Sequence, residues 1–146
     1  MPSDREALLH AAANFCNAFA CQYALDAILE HFSTASEPVA IEHGLPQLAP
    51  FLGRPFKGLD GVKQYFGLLG EHLSYKDMRF VDYIVDVETG KVSARGTATF
   101  TWTKTGQSWD EVFTYVLAFD EQRKVKSYEV WADSGAAYLA SQGKLK

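Results

Sequence analysis

The sequence predicts an α+β domain, and three observations carry that prediction. Apolar residues recur at helical spacing near the start of the chain and again around residues 60–73. From Tyr75 onward the period changes to two. The strand-like segments then follow one another through short turns, so helices and strands are segregated rather than alternating. At 146 residues the chain fits one domain, 1–146, with a core of its own. No linker or internal repeat divides it.

The elements follow in order. Ser3 and Glu6 fit a capping box at the start of a first helix. Leu8, Ala11, Ala12, Phe15 and Phe19 form its apolar stripe, and Leu25, Ile28, Leu29 and Phe32 belong to a second, shorter helix. Ser33 to Glu37 is a polar break before a short strand, PVAIEH. Leu45 to Gly58 holds three prolines and two glycines, so it reads as an irregular loop. It also holds Leu48, Phe51, Leu52 and Phe56, which is oily for a surface loop. Such a loop folds over a ligand as a lid or packs on its own core. Asp60 suits the first turn of a third helix. Val62, Tyr65, Phe66, Leu69 and Leu73 make that helix's buried face, and Gly67 and Gly70 suggest close packing. Strands are predicted over Asp77–Val87 and Val92–Thr103, then from Trp109 to Phe119 and over KVKSYEVWAD. A helical tail, Gly135–Ala140, follows.

Composition excludes several functions. Apolar residues make up 47% and charged residues 22%, an ordinary globular balance. The net charge is −4, and only GKLK is locally basic, so nucleic acid is not an expected partner. No apolar run approaches the roughly 20 residues of a membrane span. MPSDREALLH lacks a signal-peptide layout, so the expectation is a soluble, cytoplasmic protein. Cys16 and Cys21 lie about 140° apart on a helix and cannot bridge easily; both read as small buried apolar side chains. No Cys/His spacing suits a metal, and no phosphate loop, nucleophile elbow or dinucleotide fingerprint implies a cofactor.

Strand phase isolates the candidate chemistry. Glu111 shares a face with Trp109, Phe113 and Tyr115. A carboxylate there is costly to ionise, so its pKa rises and it becomes a candidate acid or base, unless it reaches water beside the hairpin turn. His43 ends the first strand, and Glu42 points to the opposite face. Tyr115 could donate to an oxyanion or to a core carbonyl, an ambiguity shared by Tyr65, Tyr83 and Tyr128. Arg54, in the oily loop, could meet an anionic substrate or sit at the surface. His10, His31 and His72 read as solvated. Arg95 and the threonine face of its strand read as solvated or dimer-forming.

LDAILEHF before a short strand, FKGLDGVKQYF, the paired FTYVLAFDEQRKVKSYEVWAD and the order of elements together resemble the nuclear transport factor 2-like superfamily. Within it, the resemblance is to SnoaL-like polyketide cyclases and ketosteroid isomerase-like proteins. It covers nearly the whole chain and implies a cone: a curved mixed β-sheet wrapped around N-terminal helices, with an apolar pocket inside. It implies His43 at the position of the family's catalytic base, pointing inward, and Tyr115 at an oxyanion position. Glu111, Phe100, Trp102, Phe113, Tyr128 and Val130 fall at pocket-lining positions. Cys16 stands on or near the family's first-helix tyrosine. Both aspartates of steroid isomerisation are replaced, so that reaction is not predicted.

The expected catalytic set is therefore His43, Tyr115 and Glu111, with Glu129 in reserve should the last strand bulge. Phe15, Phe19, Phe51, Arg54 and Tyr65 join the lining residues as expected substrate contacts. The expected activity is a cofactor-independent isomerase, cyclase or dehydratase acting on an aromatic or polycyclic, polyketide-like molecule of secondary metabolism. The alternative is a non-catalytic carrier or interaction module. A homodimer through the convex sheet face is expected in either case.

Overall fold

The computed structural model describes residues 4–146, so the cap expected at Ser3 lies outside the described residues. The chain order is α1 (Asp4–Ala20), α2 (Leu25–Leu29), β1 (Val39–His43), β2 (Phe56–Lys57) and α3 (Gly58–His72). There follow β3 (Leu73–Asp86), β4 (Lys91–Trp102), β5 (Gln107–Phe119), β6 (Val125–Trp131) and α4 (Ser134–Ser141). One six-stranded sheet has the order β2-β1-β6-β5-β4-β3. Only β1 and β6 run parallel; the other neighbours are antiparallel. The sheet is mixed, curved and unclosed.

Curvature comes from β3. Its register against β4 slips between Lys76 and Arg79 and again between Val81 and Ile84. At these slips Asp77 and Asp82 both take a left-handed φ of 56°, which aspartate tolerates better than most residues. Two bulges in one strand bend and twist it. β3 thereby reaches α1, where the Tyr75 hydroxyl donates to the Phe19 carbonyl at 2.8 Å.

The concave face carries the core. β4 alternates as its sequence suggests, with Val92, Ala94, Gly96, Ala98 and Trp102 buried. Gly96 is required there: a Cβ would stand 2.3 Å from Cζ of Phe113, whose ring lies over it. Phe15, Phe32, Phe51, Tyr65 and Tyr128 are fully buried and pack against α1, α3 and the sheet. On the convex face Ile84, Val112 and Trp131 stay exposed.

Several details differ from the sequence reading. Of the two readings of the oily loop, packing on the core holds, with Ala49, Phe51 and Leu52 buried; its end departs from an irregular loop, forming the two-residue strand β2. β3 starts at Leu73, directly after α3, four residues earlier than predicted. Gly67 and Gly70 do not mark close packing, since a Cβ at either meets nothing within 4 Å. Cys16 is buried but Cys21 is exposed. Burial pushes the Cys16 thiol up to about 12 despite a hydrogen bond with Tyr83, which leaves it inert.

Candidate functional site

A cavity of about 230 Å³ opens between the concave sheet face, α3 and the start of α4. Its walls are mostly apolar and aromatic. Phe19, Phe51, Tyr65, Phe100, Phe113, Tyr115, Tyr128 and Val130 line it, as does Glu111. Three expected contacts do not. Phe15 packs one layer behind, its ring 6.3 Å from that of Tyr115. Trp102 is buried against His72, with ring centroids 5.2 Å apart. Arg54 is exposed and lies 4.2 Å over the Phe56 ring.

The main correction concerns β1. Ala40 is fully buried, so strand alternation sends Glu42 inward and His43 outward. The expected orientation was the reverse. Parallel pairing fixes it, with Ala40 beside Tyr128, Glu42 beside Val130 and His43 beside Trp131. His43 is partly exposed, and Nε2 lies 2.8 Å from Oε2 of Glu129. Its ring stacks on Trp131, with centroids 4.4 Å apart. His43 and Glu129 therefore make a pair on the outer face, and neither lines the cavity. β6 has no bulge at this point, so Glu129 stays outside.

Glu42 is 8% exposed and accepts a 2.7 Å hydrogen bond at Oε1 from the Tyr65 hydroxyl. Burial raises its pKa to about 8. The Tyr65 bond works against that shift and the Glu111 charge adds to it. Tyr65 heads a line of phenols. Tyr128 donates to Tyr65 and Tyr115 donates to Tyr128, which is why each bond favours the protonated form of its donor. Burial, more than these bonds, holds all three phenols well above the usual tyrosine range.

Glu111 lines the same cavity and is likewise 8% exposed. Its Oε1 accepts from Nε1 of Trp109 at 2.9 Å and from the Asp133 backbone N–H at 3.3 Å. Burial raises its pKa to about 7, the two donors oppose the rise, and the Asp133 charge adds to it. Asp133 caps α4, accepting from the Ala136 N–H at 2.9 Å. Trp109 also stacks on Phe100, with centroids 5.9 Å apart.

Sequence reasoning missed Glu42 as a site residue, and also the contributions of Trp109, Tyr75 and Asp133 to the walls. Among the described residues no group of three His, Cys, Asp or Glu side chains could hold a metal ion. No described helix is long and apolar enough to cross a membrane.

Two carboxyl groups in one apolar chamber, both pushed towards neutrality, form an acid–base pair in a place where water is scarce. Either can take a proton from a bound molecule and hold it away from solvent. The tyrosine line fixes Glu42 and fills the cavity floor.

No family model matches the chain, and no curated protein matches it. Solved structures do. An NTF2-like protein of unknown function from Burkholderia pseudomallei is 15% identical, with 92% of this chain and 96% of that one covered at a TM-score of 0.77. A provisionally named isomerase from Bacillus subtilis is 10% identical, with 97% of each chain covered and a TM-score of 0.79. A provisionally named SnoaL-like polyketide cyclase from Jannaschia is 11% identical, covering 96% and 94%, at 0.77. At such identities the likeness is one of architecture, and it runs the length of each chain. The chain has the nuclear transport factor 2-like fold, which it shares with SnoaL-like proteins.

Proposed function

We propose that the cavity carries out cofactor-independent proton transfer on a flat, aromatic or polycyclic small molecule, as an isomerase, cyclase or dehydratase. The observation that carries this reading is the pair Glu42 and Glu111, two enclosed carboxyls facing one apolar chamber with pKa values near 8 and 7. A proton-transfer group works best when its pKa lies near the operating pH. Glu42 takes the proton from the substrate carbon and returns it. Tyr65 holds Oε1, which leaves Oε2 to meet the substrate. Glu111 faces the other end and balances the charge. The aromatic walls hold a planar body by area and stacking. The names of the isomerase and polyketide-cyclase neighbours support an isomerase or cyclase acting on a polyketide-like molecule.

The test needs no known substrate. Polycyclic ketones with acidic C–H groups are incubated with the protein in D₂O, and exchange at carbon is followed by NMR. The wild type should exchange at least one of them. Glu42→Gln should slow that exchange by about 10²-fold or more, the range for a lost general base. His43→Gln, on the outer face, should stay within about twofold of wild type on the same grounds. Undiminished exchange in Glu42→Gln would sink the assignment, and ligand binding without any exchange would favour a carrier.

A further inference from the structure

We infer that the cavity selects a ligand bearing a positively charged nitrogen, seated where Glu111, Asp133, Trp109 and Phe100 line it. The inference rests on the proposed function and names the charge class of its substrate.

Three observations carry it. The first is the charge of the walls. Glu42, Glu111 and Asp133 line the cavity, and among the described residues no lysine, arginine or histidine does. The ionisable side chains of the chamber are all acids: an anion is repelled by their charged forms or holds them protonated, whereas a cation favours their ionised forms. The second is the balance of donors and acceptors. The Tyr115, Tyr128 and Tyr65 hydroxyls form a line that ends on Glu42. The Tyr75 hydroxyl is given to the Phe19 carbonyl and the Trp109 indole to Glu111. Oε2 of Glu42 and Oε2 of Glu111 receive no hydrogen bond from the described residues, and neither is sealed off from a ligand. Apart from Tyr23, which is half-exposed, the chamber thus offers acceptors while its own tyrosine and tryptophan donors are committed. That pattern complements a molecule that brings N–H donors and positive charge. The third is the aromatic wall. Trp109 and Phe100, stacked on one another, both line the cavity with Glu111, and aromatic rings attract cations most strongly where water is scarce.

The inference also settles how the proposed reaction would run. With a cation in place Glu111 stays ionised. Where the positive nitrogen is an iminium or a protonated ring nitrogen conjugated with the reacting carbon, the electron pair released when Glu42 removes a proton moves onto that nitrogen and leaves a neutral enamine. The proton remains on Glu42 until it is returned to the carbon skeleton, so no further co-reactant is needed.

Three probes of equal shape decide it by calorimetry with the full chain at pH 7.5: 2-(aminomethyl)naphthalene, 2-(hydroxymethyl)naphthalene and 2-naphthoate. The amine should bind about tenfold tighter than the alcohol or better, the range of an enclosed cation–aromatic contact, and naphthoate should bind weakest. Glu111→Gln keeps an oxygen for the Trp109 indole. It should bring the amine's affinity close to the alcohol's. Asp133→Asn, which keeps the helix cap, should lower the amine's affinity by a smaller factor. Amine affinity should rise from pH 6 to 8. The groups that face this site are Glu111, with Trp109 and Asp133 against it, and Glu42, with Tyr65 and Glu111 against it; the two glutamates ionise over that range and release protons on binding.

An alcohol that binds as tightly as the amine overturns the inference, as does naphthoate binding best or no amine binding at all. An amine preference that survives both substitutions overturns it too. Exchange lost in Glu42→Gln reports on the reaction, whereas probe selectivity reports on charge, so either reading can fail while the other stands.

Discussion

Tyr65 does more than fill space in α3. Its hydroxyl is the only protein donor to Glu42 among the described residues, and it supports the ionised carboxylate against the cost of burial. Tyr65→Phe removes that support, so the Glu42 carboxyl should titrate at still higher pH. The ¹³C signal of its side-chain carboxyl, followed by NMR across pH 6 to 10, reads this directly. An unchanged or lower midpoint would mean that the bond does not stabilise the charged form. Two acids of the same site differed in how well the sequence revealed them, and the reason is local. Glu111 stands in a long strand with apolar residues on one face, so its phase could be read from its neighbours. Glu42 follows Val39, Ala40 and Ile41, a run that is apolar on both faces and has no phase of its own. The larger Val39 and Ile41 invite the wrong choice, since they are half-buried while small Ala40 is fully enclosed. Pairing with β6, far along the chain, decides the matter.

Elements show the same division between local and distant causes. The α3 helix and the β4–β5 hairpin were legible because their periods are long and clean. The start of β3 was not, because Leu73 suits the last turn of a helix and the first position of a strand equally. Strand β2 is two residues inside a proline-rich loop and exists only because β1 offers it an edge. The glycines separate the two kinds of cause experimentally. In α3, Gly67 is exposed and has open space around it. Gly67→Ala should stabilise the protein by up to about 1 kcal/mol. In β4, Gly96→Ala drives a methyl group into the Phe113 ring. It should cost about 1–3 kcal/mol, the range for overpacking. Thermal melts of the two variants should therefore move in opposite directions. Equal shifts would mean that β4 yields more readily than the packing implies.

At the scale of the whole molecule, the buried acids make stability depend on pH. Glu42 and Glu111 shift from an ordinary value of 4.5 to about 8 and about 7 in the fold. Between these limits the unfolded chain has released protons that the folded chain still binds. Stability from these groups is complete below about pH 4.5 and is lost as pH rises towards 8, by on the order of a few kcal/mol. Urea midpoints from pH 5 to 8.5 should fall for the wild type and fall much less for Glu42→Gln. A flat wild-type profile would refute the burial cost assigned to these acids. The general architecture was legible because segregation of helices and strands is a property of the entire pattern. The polarity of the cavity was not, since it depends on which few side chains the curled sheet brings together. The parallel pairing of β1 with β6 also carries a consequence in time. Residues 39–43 meet one neighbour at 56–57 but find their parallel partner only at 127–131, so a growing chain synthesises Glu42 long before the strand that orients it. Closing so long a loop is slow compared with forming α3 or the β4–β5 hairpin. Until β6 arrives, the chamber around Glu42 lacks one of its walls, and the burial that holds the carboxyl neutral is incomplete. Its rise in pKa, and with it any reactivity, is then among the last properties the folding molecule acquires.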